Sequence, residues 1–561
     1  MRSLPRWTQL TIPLAGFAFV CACAILSAQN RREEPKPAGV SGAFRIGGVV
    51  VSEASGAPLA RTRVTIVDAK NPRNAQWMIT AEDGRFEFNH LSAGKYSLRG
   101  ARSGFIAAAY EQHEHYSTAI VTGATLETDK LILRLAPAAM ISGYILDEAG
   151  EPIHHASVRL YRENRDFGVS RITSSGSSDS SDDRGYYDFW PLNPGIYYVS
   201  ATARPWYAVH PPSSHVEGTG SSFQAVDASL DVSYPTTFYA DTTESDAAAP
   251  VPLKGGDHLQ IDIHLEPAPA LHLLFHLSED GRNGFSMPAL QKRVFDSVEG
   301  VTHYDVQSVS PGTYEMTGVP AGRYTVRLHS SAPGEADQIT EMDLTKNGED
   351  LDSTPGEPLG SLTLSVKILG EDVLPQQLSV ALRDAHLRTV ASHTVDRNGG
   401  VQFEGLPAGR YTIVASSPGK QYFVSQTSSL SSETSGHSFD LTPGSSLSVS
   451  ALLLGGSTRV EGFVRRSGKA AAGVMVVLVP ADAESNIELF RRDQSDFDGS
   501  FILRDVVPGS YTVIAIEDGW NVDWSVPTVL ARYTPRGQKL TIGPQAQGSV
   551  SLQESLEVQP R

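Results

Sequence analysis

The feature that most constrains this chain is a seven-position pattern that occurs five times with unchanged spacing. Each copy has a Gly, then apolar or aromatic residues two, four and seven positions later, a second Gly at position ten, a Tyr at twelve and an aliphatic residue at fourteen. The copies are Gly84 to Leu98, Gly185 to Val199, Gly312 to Val326, Gly399 to Ile413 and Gly499 to Val513. Alternation with period two predicts strands that each bury one face.

The distance between copies predicts the number of domains. The second Gly of successive copies is separated by 101, 127, 87 and 100 residues, and a β-sandwich domain needs about 100 residues. The length of 561 residues also exceeds the roughly 250–300 residues at which one core stops growing. We therefore predict an all-β fold, a tandem array of about five Ig-like β-sandwich domains after a signal peptide. The predicted boundaries are 42–136, 137–267 with a loop insertion, 268–354, 355–455 and 456–561.

The turn residues of the repeat suggest how its strands are connected. The first Gly follows Asp83, Asn398 or Asp498 in three copies, which is typical of a hairpin turn. The second Gly is expected to supply a positive φ. The Tyr two residues later is expected to bury its ring while its hydroxyl holds the turn.

The openings of the domains complete a family resemblance. Gly56-Ala57-Pro58 precedes a strand at Val64, and Gly150-Glu151-Pro152 precedes one at Val158. Together with the repeat, this pattern resembles bacterial proteins built from carboxypeptidase regulatory-like domains, over nearly all of residues 42–555. The resemblance implies a transthyretin-like or prealbumin-like sandwich, similar to collagen-adhesin B-type repeats and starch-binding folds. It also implies an accessory or surface role and, by analogy of fold, carbohydrate binding.

The N-terminal segment predicts export. Arg2 and Arg6 precede an apolar stretch from Leu10 to Leu26, and Ala28 offers a small residue for cleavage. We predict a signal peptide over 1–28 and a linker over 29–41, with the mature chain in the periplasm, on the outer membrane surface or outside the cell. A retained membrane anchor and lipidation at Cys23 are the alternatives.

Charge and cysteine usage exclude several partners. The only cysteines, Cys21 and Cys23, lie in the predicted signal, so the mature chain would have neither disulfides nor a thiolate metal site. Removing Arg2 and Arg6 changes the formal net charge from −17 to −19, which disfavours nucleic-acid binding. No second apolar run reaches the roughly 18 residues needed to span a bilayer.

The sequence lacks the common catalytic motifs, and we predict no catalytic residues and no cofactor. It has no Gly-x-Ser-x-Gly elbow, phosphate loop or His-Glu-x-x-His. The pair His276 and Glu279 fits a His-x-x-Glu pattern, but 16 histidines make one such match expected by chance.

Two segments carry groups that metals bind, although we predict no metal site. Residues 111–115 contain His113 and His115, and we interpret them as a solvated loop rather than a metal site. Residues 178–183 contain Asp182 and offer oxygen ligands suited to calcium. That run lacks a calcium-loop pattern, and a turn role is preferred.

Aromatic residues outside the repeat are the candidate contacts for a ligand. Trp520 and Trp524 follow the last Tyr strand, and Trp206 and Tyr207 lie in the insertion of the second domain. Exposed rings stack on sugars, whereas buried ones staple a loop or join two domains. Two functions follow: a non-catalytic scaffold or interaction protein of the cell envelope, or a glycan-binding array. The partner is accordingly an envelope protein or a glycan, and burial of these rings would favour the scaffold.

Overall fold

The computed structural model describes residues 42–561 apart from 124–125, 166–167, 213–226, 278–286, 330–335, 353–354, 372, 419, 430–433, 457, 485, 544–545 and 547. The predicted signal 1–28, the linker 29–41, both cysteines and Glu279 lie outside these residues. The described chain folds into five β-sheet domains, each with its own apolar core. The predicted all-β tandem array is therefore confirmed.

Domains 1 and 2 each consist of two facing sheets. The strands of domain 1 are β1 (Phe44–Ser52), β2 (Arg63–Asp68), β3 (Asn71–Ile79), β4 (Arg85–Leu91), β5 (Gly94–Ala101), β6 (Ala108–Ala109), β7 (Ile120–Thr122) and β8 (Leu131–Leu135). The strands from domain 2 are β9 (Ala139–Leu146), β10 (Ser157–Asn164), β11 (Arg171–Ser180), β12 (Tyr186–Leu192), β13 (Gly195–Thr202), β14 (Val232–Ser233), β15 (Thr237–Phe238), β16 (Val251–Leu253), β17 (His258–Gln260) and β18 (Ile263–His264).

Nine strands lie in the described residues of each of domains 3 and 4. The strands of domain 3 are β19 (Ala268–His276), β20 (Ala289–Val294), β21 (Ser297–Gly300), β22 (Asp305–Ser310), β23 (Thr313–Pro320), β24 (Gly322–Leu328), β25 (Gln338–Leu344), β26 (Glu349–Asp350) and β27 (Glu357–Pro358). The strands of domain 4 are β28 (Gly360–Ile368), β29 (Ser379–Arg383), β30 (Thr389–Thr394), β31 (Gly400–Leu406), β32 (Gly409–Ser417), β33 (Lys420–Ser429), β34 (Thr434–Ser435), β35 (Ser438–Leu441) and β36 (Ser446–Gly455).

Domain 5 adds short helical turns to the same sandwich. Its strands are β37 (Thr458–Arg466), β38 (Lys469–Ala470), β39 (Met475–Pro480), β40 (Arg491–Gln494), β41 (Ser500–Val506), β42 (Gly509–Ile516), β43 (Gln538–Ile542), β44 (Gly548–Ser551) and β45 (Leu556–Glu557). The helical elements of the described chain are α1 (Pro527–Leu530) and the 3-10 turns Ala228–Leu230, Ser245–Ala247, Ile487–Leu489, Gly519–Asn521 and Thr534–Arg536.

One topology is repeated in all five domains. The first strand pairs antiparallel with the strand that carries the first half of the repeat, and parallel with a strand near the end of the domain, as β1 does with β4 and β8. Strands β9, β19, β28 and β37 do the same. The Tyr strand lies at the centre of the opposite sheet, as β5 does beside β2. In domain 4, β33 pairs with both β32 and β36, so the two sheets become one continuous sheet.

The hairpin prediction for the first turn of the repeat is wrong at the three quoted positions. The turn at Gly84 leads from β3 to β4, but β3 pairs with β2 whereas β4 pairs with β1 in the other sheet. The turns at Gly399 and Gly499 also connect opposite sheets. The copy that does form a hairpin is Gly312, between β22 and β23. The composition of a turn determines its local backbone conformation, whereas the pairing of the strands on either side depends on the packing of the whole domain.

The positive φ belongs to the first Gly of the repeat. In the five copies its φ is between 67° and 87°, and its carbonyl accepts a bond of 2.7–2.9 Å from an amide of the first strand or its end. A Cβ there would lie 2.4–3.3 Å from a carbonyl oxygen of that segment, so both conformation and space require Gly. At the second position only Gly409 has such a φ, at 154°. The prediction of a positive φ is wrong at the other four.

The repeated Tyr behaves as predicted. Its ring is 2–5% exposed in every copy, and its hydroxyl donates to the carbonyl oxygen four residues earlier at 2.6–3.1 Å. In three copies a Cβ on the second Gly would lie 3.2–3.9 Å from this ring. The ring therefore folds back over that Gly, and at Gly509 a Cβ would be crowded by it. The five tyrosines are Tyr96, Tyr197, Tyr324, Tyr411 and Tyr511.

Candidate interaction sites

Domain 1 lies against domain 5, although their contacting residues are almost 400 positions apart. The amide of Phe497 donates to the carbonyl of Ala119 at 3.0 Å, and the amide of Ala119 donates to Oδ1 of Asp496 at 2.9 Å. Nε2 of Gln494 donates to the carbonyl of Glu111 at 2.5 Å and to the hydroxyl of Thr118 at 2.9 Å. We call this contact the 1/5 junction.

Two charge pairs cross the 1/5 junction. Arg492 donates from Nη1 and Nη2 to the two oxygens of Glu114, at 3.2 and 2.8 Å. This is the bidentate geometry in which Arg commonly pairs with a carboxylate. Nζ of Lys95 lies 2.5 Å from Oδ2 of Asp496. Burial raises the pKa of Asp496, and the Lys95 ammonium opposes part of that rise.

Trp520 and Trp524 belong to this junction. Trp520 stacks on His113 with the ring centroids 5.1 Å apart and lies 5.4 Å from Tyr116. The guanidinium of Arg492 lies over Trp524 at 4.2 Å. Both tryptophans are only 7% exposed. A glycan contact at Trp520 or Trp524 does not fit this structure, because Trp520 is covered by rings of domain 1 and Trp524 by Arg492 and Phe490 of its own domain.

The segment 111–115 is a mostly exposed loop, in agreement with that interpretation, although His113 itself is half-buried. It is held at the junction, where Nδ1 of His113 lies 3.1 Å from Oε1 of Gln494. Asp182 has the turn role, since its Oδ1 accepts from the amides of Arg184 and Tyr186 at 2.9 and 2.8 Å. Among the described residues, the groups with metal-binding geometry lie elsewhere.

Domains 2 and 4 also contact their non-neighbours. A Cβ on Gly168 of domain 2 would lie 2.7 Å from the ring of Trp524, and Arg165 pairs with Asp523 at 3.4 Å. Nη2 of Arg171 donates to the carbonyl of His386 in domain 4. A cleft of about 1120 Å³ lies between domains 2, 3 and 4. Domain 2 thus contacts domains 4 and 5 in addition to domains 1 and 3, its neighbours along the chain.

The insertion of domain 2 exposes one of the four predicted aromatic residues strongly. Trp206 is 86% exposed and meets Tyr207 edge-on at 5.7 Å. The hydroxyls of Tyr207 and Tyr234 donate to the two oxygens of Glu148, at 2.5 and 2.8 Å. Burial raises the pKa of Glu148, but these hydrogen bonds outweigh it and hold that pKa below its usual value. Glu148 therefore fixes the base of this segment while the Trp206 ring stays accessible.

The junction between domains 2 and 3, which we call the 2/3 junction, is built differently. Strand β14 follows the insertion of domain 2 but pairs with β19 of domain 3. An apolar cluster joins Tyr161 and Phe238 of domain 2 to Val294 and Phe295 of domain 3. Glu299 accepts from Arg159 at 2.5 Å and from the hydroxyl of Tyr161 at 2.9 Å. Backbone pairing and apolar packing thus fuse these two domains.

A buried polar chain completes the 2/3 junction. Nδ1 of His210 lies 2.9 Å from Oδ1 of Asp231, and Nε2 of His272 lies 2.8 Å from Oδ2 of the same carboxylate. Nδ1 of His272 lies 3.2 Å from Oε1 of Glu315. Sequence reasoning missed this group because its members are up to 105 residues apart and share no motif. The unusual signal was a histidine at position 272 among the apolar residues 271–275.

A second polar group lies at the other end of β19. Nδ1 of His276 is 3.1 Å from Oδ1 of Asp352 and 3.7 Å from Oδ2 of Asp350. The hydrogen bond that Asp352 accepts from His276 raises the pKa of His276 despite some burial. The His276 side chain is 52% exposed. Because Glu279 lies outside the described residues, the His-x-x-Glu pattern itself is not placed.

The fold defines a tandem array of β-sandwich domains, and a family model identifies one of them. Residues 45–125 match the carboxypeptidase regulatory-like domain. This confirms the predicted resemblance for domain 1. No curated protein matches the chain significantly. Among the described residues, no helix has the length and apolar character needed to cross a bilayer.

Several solved structures resemble the chain weakly. The TIE protein of Bacillus anthracis is 12% identical, with 73% of this chain and 74% of that one covered and a TM-score of 0.18. A streptococcal ancillary pilin is 12% identical, with 55% and 98% covered and a TM-score of 0.18. Two B repeat units of the collagen-binding protein of Staphylococcus aureus are 11% identical, with 73% and 99% covered and a TM-score of 0.12. At these values the likeness carries no inference about function.

Proposed function

We propose that this chain is an exported, non-catalytic scaffold of the cell envelope that holds five β-sandwich domains in a closed arrangement. The observation that carries the proposal is the 1/5 junction. At this junction Arg492 and Trp520 of domain 5 are buried against Glu114 and His113 of domain 1. Independent domains on a flexible string would not need such contacts. A chain that presents several surfaces to one partner gains affinity from a fixed spacing between them.

The junction is suited to fixing domain positions. An exposed ion pair alone contributes about 0–1 kcal/mol. Here the Arg492 side chain is 8% exposed, is held by two hydrogen bonds to Glu114, and also lies over the Trp524 ring. Because domains 1 and 5 belong to one chain, their association is intramolecular. Each domain is therefore present at a high effective concentration near the other, and modest contacts are enough to hold the junction closed.

Small-angle scattering of the mature chain tests the closed arrangement. The double reversal Glu114→Lys and Lys95→Glu puts like charges against Arg492 and Asp496, so we expect a larger radius of gyration with each domain still folded. Glu341→Lys is the matched control, since it disrupts the exposed Arg323–Glu341 pair within domain 3 and should leave the radius unchanged. An unmutated chain as extended as the double variant would contradict the proposal.

The scaffold proposal also specifies the compartment and the type of partner. Mass spectrometry of envelope material should find a mature N-terminus at Gln29, whereas intact Met1 in the cytoplasm would exclude export. Chemical cross-linking in the envelope should join the closed chain to a protein partner, and the opened double variant should lose that product. No hydrolytic activity is expected from either form.

The exposed indole of Trp206 favours glycan binding as a second candidate function. A ring that is 86% exposed offers a whole face for stacking on a sugar. A glycan array with the mature chain, Trp206→Ala and the control Trp77→Ala tests this, because Trp77 is 58% exposed on domain 1. The scaffold proposal expects no retained glycan. Retention that disappears only in Trp206→Ala, at an unchanged melting temperature, would make this a carbohydrate-binding protein.

A further inference from the structure

We propose that His210, Asp231 and His272 form a metal site of the zinc type, which fastens the insertion of domain 2 to domain 3. The ligand atoms of these three residues all lie within 4.8 Å of one another. Two imidazole nitrogens with one carboxylate oxygen are a donor set that Zn²⁺ takes up, whereas Ca²⁺ and Mg²⁺ require oxygen ligands.

The distances leave room for an ion after small shifts. Each histidine nitrogen lies 2.8–2.9 Å from an oxygen of Asp231. In a tetrahedral site with bonds of about 2.0–2.1 Å, neighbouring ligand atoms are about 3.3 Å apart. Moving the side chains outward by a few tenths of an ångström would therefore place an ion between them.

The protons of His272 supply an independent argument. Both ring nitrogens face carboxylate oxygens, Nε2 that of Asp231 and Nδ1 that of Glu315. A neutral imidazole has one N–H, so it satisfies only one of these contacts. A metal ion on Nε2 resolves the conflict, because the single proton then remains on Nδ1 and is donated to Glu315.

Glu315 occupies the place of a supporting carboxylate behind a metal-bound histidine. Histidine ligands commonly donate their second N–H to a carboxylate, which fixes the orientation of the ring. Glu315 is fully buried and accepts from Nε2 of Gln307 at 3.1 Å. His272 is 4% exposed, so its ring is held on both sides. This support is present for His272 before any ion binds.

The location gives the ion a structural role. His210 and Asp231 come from the insertion of domain 2, while His272 lies on β19 of domain 3. The amide of Ala270 donates to the carbonyl of Asp231 at 3.0 Å, next to the β14–β19 pairing. Gly318, with φ of 83°, lies beside His210, and a Cβ there would be 2.9 Å from its Nε2. The backbone thus brings the two halves of the site together and makes space for the ring.

Native mass spectrometry and calorimetric titration with ZnCl₂ on the chelator-treated mature chain test the proposal. We expect one bound Zn²⁺ per chain and a higher melting temperature of domains 2 and 3. Asp231→Asn keeps the size of the side chain but removes the charge, and should abolish binding. Glu315→Gln should weaken binding by about 10- to 100-fold, as expected for a supporting partner. His276→Ala on the same strand is the matched control and should bind as the unmutated chain does.

The competing arrangement is a His272 imidazolium between two carboxylates without a metal. A folded chain that takes up no Zn²⁺ would overturn the proposal in favour of that arrangement. Uptake that survives Asp231→Asn but is lost in His276→Ala would overturn it in favour of the exposed group at Asp350 and Asp352. If circular dichroism shows that Asp231→Asn is unfolded, His210→Ala replaces it, with the same expected loss of binding.

Discussion

The 1/5 and 2/3 junctions join domains by opposite means. At the 2/3 junction the chain passes directly from one domain to the next, so a strand from the insertion of domain 2 extends the sheet of domain 3 and apolar rings pack beneath it. At the 1/5 junction two complete domains share one backbone hydrogen bond and otherwise meet through side chains, mainly the Arg492–Glu114 pair, the Lys95–Asp496 pair and the Trp520 ring. The first junction should therefore melt with its domains, whereas the second should open while its domains stay folded.

The largest expected effect is that of Tyr511→Ala. The Tyr511 ring is 3% exposed and its hydroxyl donates to Val507 at 3.0 Å, so truncation should cost domain 5 about 3–5 kcal/mol. Since domain 5 supplies Arg492 and Trp520, the 1/5 junction should be lost with it, while domains 2 and 3 keep their shared transition. Differential scanning calorimetry with scattering measures both. Tyr411→Ala is the matched control, since it weakens domain 4 by a similar amount and should leave the 1/5 junction closed.

Truncating one arginine at each junction should show how much each junction depends on its ion pair. Arg492→Ala leaves Glu114 without its two-point donor and should weaken the 1/5 docking by about 1.5–3 kcal/mol. Arg159→Ala removes the matching pair with Glu299, but the Tyr161 hydroxyl still donates to that carboxylate and the apolar cluster remains. We expect less than about 1 kcal/mol there. Hydrogen exchange at the two interfaces measures both losses of free energy. Equal losses would show that the two junctions do not differ in how much they depend on their ion pairs.

Asp493→Asn should alter domain 5 in a pH-dependent way. Burial raises the pKa of Asp493 from 3.8 to about 6, so the folded state binds its proton more tightly than the unfolded state. The unmutated domain should consequently lose stability as the pH rises from about 4 to about 6. At pH 7 the Asn variant should be more stable by about 1–3 kcal/mol, and this gain should vanish below about pH 4.

Asn also preserves the bond that the side chain accepts from the amide of Ile502. Urea titrations at pH 3.5 and pH 7 measure the difference. A gain of the same size at both pH values would show that ionisation of Asp493 is not its cause. Domains 2 and 3 provide the internal reference, since the substitution lies outside them.

The smallest expected effect is that of salt. The two ion pairs of the 1/5 junction are partly exposed, with Glu114 at 35% and Lys95 at 31%. Raising NaCl from 0.05 to about 0.5 M should therefore weaken this docking by up to about 1 kcal/mol. The 2/3 junction should weaken less, because its strand pairing and apolar cluster do not depend on charge. The radius of gyration from scattering and the rate of proteolysis around His113 measure this weakening. If neither depends on salt, the aromatic contacts of Trp520 rather than the ion pairs stabilise the junction.

The sequence by itself determined the repeated unit of this protein. The spacing from Gly84 to Leu98 and its four equivalents indicates which residues face a core, because period-two burial is a property of a few consecutive residues. The repeated Tyr could be placed correctly for the same reason, since its hydroxyl bonds only four residues back.

Only the tertiary structure decided which strands and domains are partners. The turn at Gly84 crosses between sheets instead of forming a hairpin, Trp520 is covered by His113 from the other end of the chain, and His272 meets Asp231 across a domain boundary. These contacts join residues that are 41 to about 400 positions apart, and their formation depends on the packing of whole domains. A local pattern records the environment of a residue, but the identity of a distant neighbour is a property of the complete fold.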